Sequence, residues 1–111
     1  MSKAMIDVMA ERTRQIDEEG FGAAHDDTQV NGTLARAGGC YALQAASRCW
    51  LFDLPFPGHD LNYTSDPLPE EWPAEWDTSW WKPKDPRRDL VRAAALIIAE
   101  IERIDRAGVK P

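Results

Sequence analysis

Four basic side chains cluster in one short segment of an otherwise acidic chain. The segment "SWWKPKDPRRDL", residues 79–90, places two lysines and two arginines next to two tryptophans, while the chain has a formal net charge of −6. These residues are Trp80, Trp81, Lys82, Lys84, Arg87 and Arg88. Cationic side chains bind phosphate through charge-assisted hydrogen bonds, and an indole can stack on a nucleobase. The segment therefore predicts a nucleotide-binding site.

The same segment also predicts the start of a helix. Asp85 is the expected N-cap and Pro86 the first helical residue, a position that proline favours. Arg87 and Arg88 then lie in the first turn, where the helix dipole disfavours cations. Because the free amides at a helix start bind phosphate, we expect a phosphate-bearing ligand to compensate for these arginines.

The alternative is that the protein neutralises these arginines itself. They would then pair with acids next to them or on the first helix, and the tryptophans of the proline-rich segment would fill the core. The acids in question are Asp85, Asp89, Asp17, Glu18 and Glu19.

Carboxylates near the ends of the first and last helices suggest a different chemistry. If Glu18 and Glu19 faced Glu102 and Asp105, the four could hold Mg²⁺, which prefers oxygen ligands and often bridges to substrate phosphates. This pattern resembles the small all-α pyrophosphohydrolases of the MazG-like kind, which carry EExxE on one helix and ExxD on the next. Here no third glutamate follows in phase, and the second helix has no acid. A solvated helix face explains the same acids.

His25, followed by Asp26 and Asp27, forms a polar cluster in a glycine-flanked connection. It could cap the second helix, brace the loop, coordinate a metal or touch a ligand. No serine or cysteine has the setting of an activated nucleophile, and no GxxxxGK phosphate loop is present. We therefore assign no catalytic residue.

The elements that must position these residues are helical. Apolar periodicity predicts an all-α fold with three main helices, at about 3–19, 32–48 and 86–107. A long Trp/Pro-rich irregular insertion occupies about 50–84, where prolines prevent a long helix. Residues 1–111 form a single domain by length. Three helices bury limited apolar area, so a homo-oligomer is expected.

Each predicted helix has an expected face and expected ends. In the first helix, Met5, Met9 and Ile16 mark the apolar face, with Ser2 as cap and Gly20 as stop. The apolar face of the last helix comprises Leu90, Ala94, Ile97, Ile101 and Ile104, and Gly108 ends that helix.

The second helix has unusually small side chains and should begin at Asn31 as its cap. Gly38 and Gly39 each cost roughly 1 kcal/mol relative to alanine inside a helix. We therefore expect another backbone to pack closely against them.

Composition limits the location and partners of the chain. The longest apolar run, residues 93–99, is too short to cross a bilayer, and the amino terminus becomes charged before a signal peptide could form. We therefore expect a cytoplasmic protein that does not bind membranes. Cys40 and Cys49 should be reduced thiols, since about 13 Å along one helix is too far for a disulfide. The acidic balance argues against general nucleic-acid binding.

The chain resembles a family of small phage and prophage proteins. The resemblance is carried by "ERTRQIDEEGF", "HDD", "NGTLARAGGCYA", "WDTSWWKP" and "RRDLVRAAALIIAEIERIDR", and it covers most residues outside about 48–71. Positions that match the recurring pattern are Glu11, Arg12, Arg14, Gln15, Glu19, Gly20, His25, Asp26, Asp27, Gly32, Trp80, Trp81, Lys82, Arg88 and Glu100. Ala24 and Thr33 depart from it, and both departures remove acids. The resemblance implies the cytoplasm of an infected or lysogenic bacterial host, and it adds Arg12, Arg14, Gln15 and His25 to the candidate ligand-binding residues.

Three functions follow, in this order. The first is sequestration, without catalysis or cofactor, of a nucleotide or a cyclic or other nucleotide-derived immune signal. The second is a Mg²⁺-dependent, MazG-like nucleoside triphosphate pyrophosphohydrolase that uses Glu18, Glu19, Glu102 and Asp105. The third is a module that binds a host protein through the Trp/Pro segment, since aromatic residues and arginine often anchor such surfaces.

Overall fold

The chain folds into packed α-helices joined by irregular segments. A computed structural model describes residues 1–47 and 63–108. Within these ranges there are four α-helices and two single-turn 3₁₀ helices, and no strand. The helices are α1 (Lys3–Glu19), α2 (Ala23–Asp26), α3 (Thr33–Ala46) and α4 (Pro86–Arg106), and the 3₁₀ turns are Tyr63–Ser65 and Thr78–Trp80. The predicted all-α class and its three main helices are confirmed. The one-turn α2 lies in the connection that was expected to be irregular.

Most helix ends follow the local sequence signals. The Ser2 hydroxyl accepts a hydrogen bond from Met5 N, and Gly20 ends α1 in the left-handed conformation at φ 74°. The Asp85 carboxylate caps α4 by accepting from Arg88 N, with Pro86 at the first helical position. The predicted Asn31 cap of α3 is wrong. Gly32 holds that position at φ 69° without a side-chain cap, because two successive residues with positive φ turn the chain into α3.

The helices α3 and α4 pack closely at Gly38. A Cβ atom added to Gly38 would lie 3.2 Å from the Ala93 carbonyl oxygen and 3.2 Å from Ile97 Cγ1, whereas one added to Gly39 would meet no atom within 4 Å. The predicted close packing is therefore confirmed at Gly38 and wrong at Gly39. Apolar side chains on either side of this contact form the core, including Leu34, Ala37, Cys40, Tyr41, Ala93, Leu96 and Ala99.

The helix α1 packs with its polar side inward. Glu11 and Gln15 are its buried residues, whereas Met5, Met9 and Ile16, the expected core face, are all exposed. The prediction failed because ion pairs attach this helix to the rest of the protein, so apolar periodicity does not report its buried side. The expected apolar face of α4 is also largely exposed, at Leu90, Ile97 and Ile101. Its buried side instead comprises Val91, Ala93, Ala95, Leu96 and Ala99.

The described part of the insertion, residues 63–84, is ordered by its aromatic residues. Trp72 and Trp76 are buried in the core cluster, and Trp81 packs partly buried against it. The Trp76 indole N–H donates to Gln29 Oε1 at 2.8 Å. The predicted irregular character is confirmed for this part, and residues 50–62 lie outside the described residues.

Two further predictions from the sequence concern membrane spanning and the state of the cysteines. None of the described helices combines the length and the apolar character needed to cross a membrane. Cys40 is a buried free thiol, while Cys49 lies outside the described residues. Burial raises the pKa of Cys40 to about 11, so this thiol stays protonated at neutral pH.

Candidate functional site: a cavity with aromatic and cationic walls

A cavity of about 560 Å³ opens between α1, α3, α4 and residues 72–81, which we call the tryptophan segment. Its lining combines aromatic rings with cationic side chains. The aromatic side chains are Phe21, Tyr41, Trp72, Trp76 and Trp80, and the cationic ones are Arg14, Lys82, Lys84, Arg88 and Arg92. Gln15, Glu19 and Leu96 complete the lining. Six of the ten predicted ligand-binding residues therefore meet here: Arg14, Gln15, Trp80, Lys82, Lys84 and Arg88.

The aromatic wall is a chain of rings that meet edge to face. The rings of Trp72 and Trp76 lie 5.6 Å apart at 83°, and those of Trp76 and Trp80 lie 5.5 Å apart at 68°. Trp72 and Trp76 are buried, but Trp80 is 46% exposed. Trp80 packs against the buried Trp76, and its exposed ring offers a flat apolar surface on which a planar ligand can stack.

The segment that joins the second 3₁₀ turn to α4, residues 81–85, contributes two lysines to the cavity. Lys82 and Lys84 both line the cavity, whereas Pro83 between them does not. The Lys82 backbone N–H donates to the Tyr41 hydroxyl at 3.1 Å. The Lys84 backbone N–H donates to both carboxylate oxygens of Asp89, at 3.0 and 3.2 Å. Both lysines are therefore mounted on fixed backbone.

Arg92 also lines the cavity, and it hydrogen-bonds the backbone of Lys82. Its guanidinium lies 4.7 Å from the centroid of the Tyr41 ring, and its Nη1 donates to the Lys82 carbonyl oxygen at 2.7 Å. Its Nε is buried and has no hydrogen-bond partner among the described residues. Within the described part of the chain, Lys82, Lys84 and Arg92 have no carboxylate in ion-pair contact. Among residues 1–47 and 63–108 these three cations therefore have no ion-pair partner, although Asp89 interacts with Arg92 electrostatically.

Arg88 and Arg14 differ, because both bind the buried carboxylate of Glu11. Arg88 Nη2 lies 2.6 Å from Glu11 Oε1, and Arg14 contacts both carboxylate oxygens at 2.8 and 2.9 Å. Burial alone would raise the pKa of Glu11, but the hydrogen bonds from Arg14 and Arg88 outweigh it and lower the pKa to about 2. Glu11 therefore stays ionised, and it accepts hydrogen bonds from Nη2 of Arg88 and from Nε and Nη2 of Arg14, which leaves other N–H groups of Arg88 for further partners.

Ion pairs within the protein hold both Arg87 and Arg88, the two arginines for which a ligand was predicted to compensate. Arg87 Nη1 lies 2.9 Å from Asp7, and it is not among the residues that line the cavity. Acids of α1 thus provide the compensation at the start of α4, as the alternative held, although they are Asp7 and Glu11. Arg88 faces the cavity, but as a cation already paired.

Three other predicted ligand-binding residues lie outside the cavity. Arg12 donates to Asp26 at 2.8 Å, to Glu102 at 3.1 Å and to the Phe21 carbonyl, and it thereby joins α1, α2 and α4. His25 stacks on Phe21 with ring centroids 4.4 Å apart, and its Nδ1 lies 3.0 Å from Asp26. This arrangement is the loop-bracing role considered for His25. Trp81 stacks on Tyr41 at 4.8 Å within the aromatic cluster.

Three of the four acids considered for Mg²⁺ form ion pairs with arginines of the protein. Glu18 and Glu19 both pair with Arg14, at 3.4 and 2.7 Å, and Glu102 pairs with Arg12. Asp105 is exposed near the end of α4. No group of three or more His, Cys, Asp or Glu side chains close enough to hold a metal occurs among residues 1–47 and 63–108.

Sequence reasoning missed several residues that line the cavity, namely Phe21, Tyr41, Trp72, Trp76, Arg92 and Leu96. A signal existed for Arg92, which follows Arg88 by four residues and so lies on the same face of α4. A signal also existed for Tyr41, because it is the only aromatic residue of α3, whose other side chains are mostly small. Nothing in the local sequence indicated which face of the tryptophan segment would border open space.

Comparison of the chain with models of protein families, with curated proteins and with solved structures finds no match.

Proposed function

We propose that this protein binds a nucleotide or a nucleotide-derived signal in the cavity and sequesters it without chemical change. The observation that carries the proposal is the position of Lys82 and Lys84. Their cationic side chains border the same cavity as the Trp76 and Trp80 rings, and no carboxylate of the described chain pairs with them. A nucleotide combines the two complementary features, a planar ring for the aromatic wall and phosphates for the lysines.

Size and charge both support this class of ligand. About 560 Å³ falls within the range of typical small-molecule sites. Aromatic cavities can also hold organic cations. Here, however, the lining carries five cations, and although Arg14 and Arg88 pair with Glu11 and Glu19, Lys82, Lys84 and Arg92 have no ion-pair partner among the described residues. This excess of positive charge favours an anionic ligand over a cationic one.

The lining favours binding over chemistry. The residues around the cavity include no serine, cysteine or histidine of the described chain, and Glu19 is held by Arg14 at 2.7 Å. General acid-base catalysis most often uses histidine or a free carboxylate, and we assign the other titratable side chains of the lining, those of Tyr41, Lys82 and Lys84, to ligand binding. The resemblance to small phage and prophage proteins gives binding alone a use, since such a protein can lower the free concentration of a host immune signal.

A ligand-capture experiment tests the proposal. The purified protein is incubated with a panel of nucleoside phosphates and cyclic dinucleotides, freed of unbound ligand and heat-denatured, and the released compound is identified by mass spectrometry. We expect at least one member of the panel to be recovered intact. Recovery of none, or of hydrolysed product only, would overturn the proposal.

A turnover measurement separates binding from the pyrophosphohydrolase alternative. The same protein is incubated with the common nucleoside triphosphates and Mg²⁺, and pyrophosphate is measured. We expect none above background. Release that is lost in Glu19→Gln would instead identify an enzyme.

A further inference from the structure

The side chain of Gln15 has an unusual position for a polar group. Gln15 lies on the inward side of α1, borders the cavity and is only 1% exposed. Its Nε2 donates to Glu11 Oε2 at 3.2 Å, while its Oε1 is buried without a hydrogen-bond partner among the described residues. Buried carbonyl oxygens in proteins are nearly always hydrogen-bonded, so this acceptor is an exception that calls for a donor.

The orientation of the amide follows from its neighbour. An ionised carboxylate can only accept hydrogen bonds, so the NH₂ group of Gln15 must face Glu11 and the oxygen must face away. Glu11 cannot turn to another partner, because Arg14 and Arg88 hold both of its oxygens. Gln15 lines the cavity, so its unpaired carbonyl oxygen is available as an acceptor for a ligand whose donor reaches it there.

We propose that the cavity selects nucleotides whose base carries an exocyclic amino group, and that Gln15 Oε1 accepts a hydrogen bond from this group. The inference rests on the proposed function and specifies the class of ligand. Trp72 also lines the cavity, and its indole N–H, buried without a hydrogen-bond partner among the described residues, would supply a donor for a ring nitrogen or carbonyl of the base. Sugar phosphates and inorganic phosphates lack such an aromatic edge.

An amino group suits this acceptor better than the ring N–H of uracil. The uracil N3–H lies between two carbonyl oxygens, which would approach Gln15 Oε1 and the negative charge of Glu11. An amino group projects beyond the ring and reaches the acceptor without bringing two oxygens with it. We therefore expect adenine, cytosine and guanine nucleotides to bind more tightly than uracil nucleotides.

The test compares ligands that differ by the amino group alone. Isothermal titration of the wild-type protein is carried out with ADP against purine riboside 5′-diphosphate, and with CDP against pyrimidin-2-one riboside 5′-diphosphate. A site built around a hydrogen bond discriminates strongly against an analogue that lacks the donor. For the base that binds, we expect the analogue without the amino group to bind at least about tenfold more weakly.

A variant assigns the effect to Gln15. Gln15→Met keeps a side chain of similar length and removes the acceptor, so the discrimination between ligand and analogue should disappear. The wild-type comparison needs no variant, so it stands even if Gln15→Met fails to fold.

The outcomes separate this inference from the proposed function. If the wild type binds no nucleotide, the proposed function fails. Suppose instead that nucleotides bind, but that the amino-free analogue, UDP or ribose 5-phosphate binds equally well. Then the role of Gln15 is refuted and the proposed function stands.

Discussion

The guanidinium of Arg88 lies 2.6 Å from the carboxylate of Glu11, a residue 77 positions earlier in the chain. This contact explains how two arginines are tolerated in the first turn of α4. The helix dipole favours negative charge at that end, and α1 supplies it through Glu11 and through Asp7, which binds Arg87. The same contact places the inner side of α1, with Arg14 and Gln15, against the cavity.

Replacing Glu11 by Gln should destabilise the protein by about 2–3 kcal/mol at neutral pH. This is below the range for a fully buried pair, because both guanidiniums keep some contact with solvent. The pKa of Glu11 in the folded state, about 2, lies below its ordinary value of 4.5. The stabilisation is therefore fully present above pH 4.5 and is lost as the pH falls from there to about 2. Urea denaturation of wild type and Glu11→Gln across this interval measures the difference.

A matched control for Glu11→Gln is Asp17→Asn, which removes one negative charge from an exposed position on the same helix. It should change the unfolding free energy by less than about 0.5 kcal/mol. Equal effects of the two substitutions would show that overall charge matters and that the contact with Arg88 does not.

Replacing Lys82 or Lys84 by Gln should weaken nucleotide binding by roughly tenfold each, the usual effect of removing one charged hydrogen bond. The double variant should also make binding less sensitive to salt, because fewer ionic contacts remain to be screened. Arg36→Gln removes a cation from an exposed position that does not line the cavity, so it should leave the affinity unchanged. Titrations at two salt concentrations check both expectations. If Arg36→Gln weakens binding as much, the affinity comes from general charge.

Alanine substitutions at Gly38 and Gly39 should have opposite effects on the stability of the protein. Gly39→Ala meets no atom within 4 Å and should stabilise the protein by up to about 1 kcal/mol through helix propensity. Gly38→Ala places its Cβ 3.2 Å from the Ala93 carbonyl oxygen, and backbone can yield little there, so this variant should be less stable than wild type. Thermal unfolding of the two variants provides the comparison, and a gain in stability for Gly38→Ala would contradict the close α3–α4 packing.

The exposed apolar face of α4 should pair with a second copy of the chain. Leu90, Ile97, Ile98 and Ile101 are large apolar residues exposed at helical spacing, and a monomer rarely exposes a large patch of this kind. A stripe without charges is self-complementary, as a two-fold interface requires. Light scattering should give a mass of at least twice that of one chain, which is 12.5 kDa. The substitution Ile101→Lys should reduce it to that of one chain, and a monomeric wild type would refute the expectation.

Most helix ends, which depend on a few neighbouring residues, could be predicted from the sequence, although the Asn31 cap was wrong, whereas the buried faces of the helices depend on distant parts of the chain. The caps at Ser2, Gly20 and Asp85 depend on a few neighbouring residues, so their positions could be predicted. The buried side of α1 depends on acids and arginines far apart in sequence, and apolar periodicity therefore indicated the wrong face. Six of the ten candidate ligand-binding residues meet at the cavity. Arg12 and Arg87 do not, because their partners, Asp26 and Asp7, could not be identified without the fold.

Because α1 is attached to α4 through ion pairs, we expect it to be released from α4 more easily than α3 is. Its contacts with α4 include three ion pairs, Asp7–Arg87, Glu11–Arg88 and Arg12–Glu102, whereas α3 and α4 are joined by buried apolar side chains. Acid or concentrated salt weakens the first kind of contact far more than the second. Such conditions should therefore detach α1 as a unit before the rest unfolds, with early amide hydrogen exchange confined to that helix. Since α1 carries Gln15 and Arg14, its departure would open one wall of the cavity and let a captured molecule escape intact.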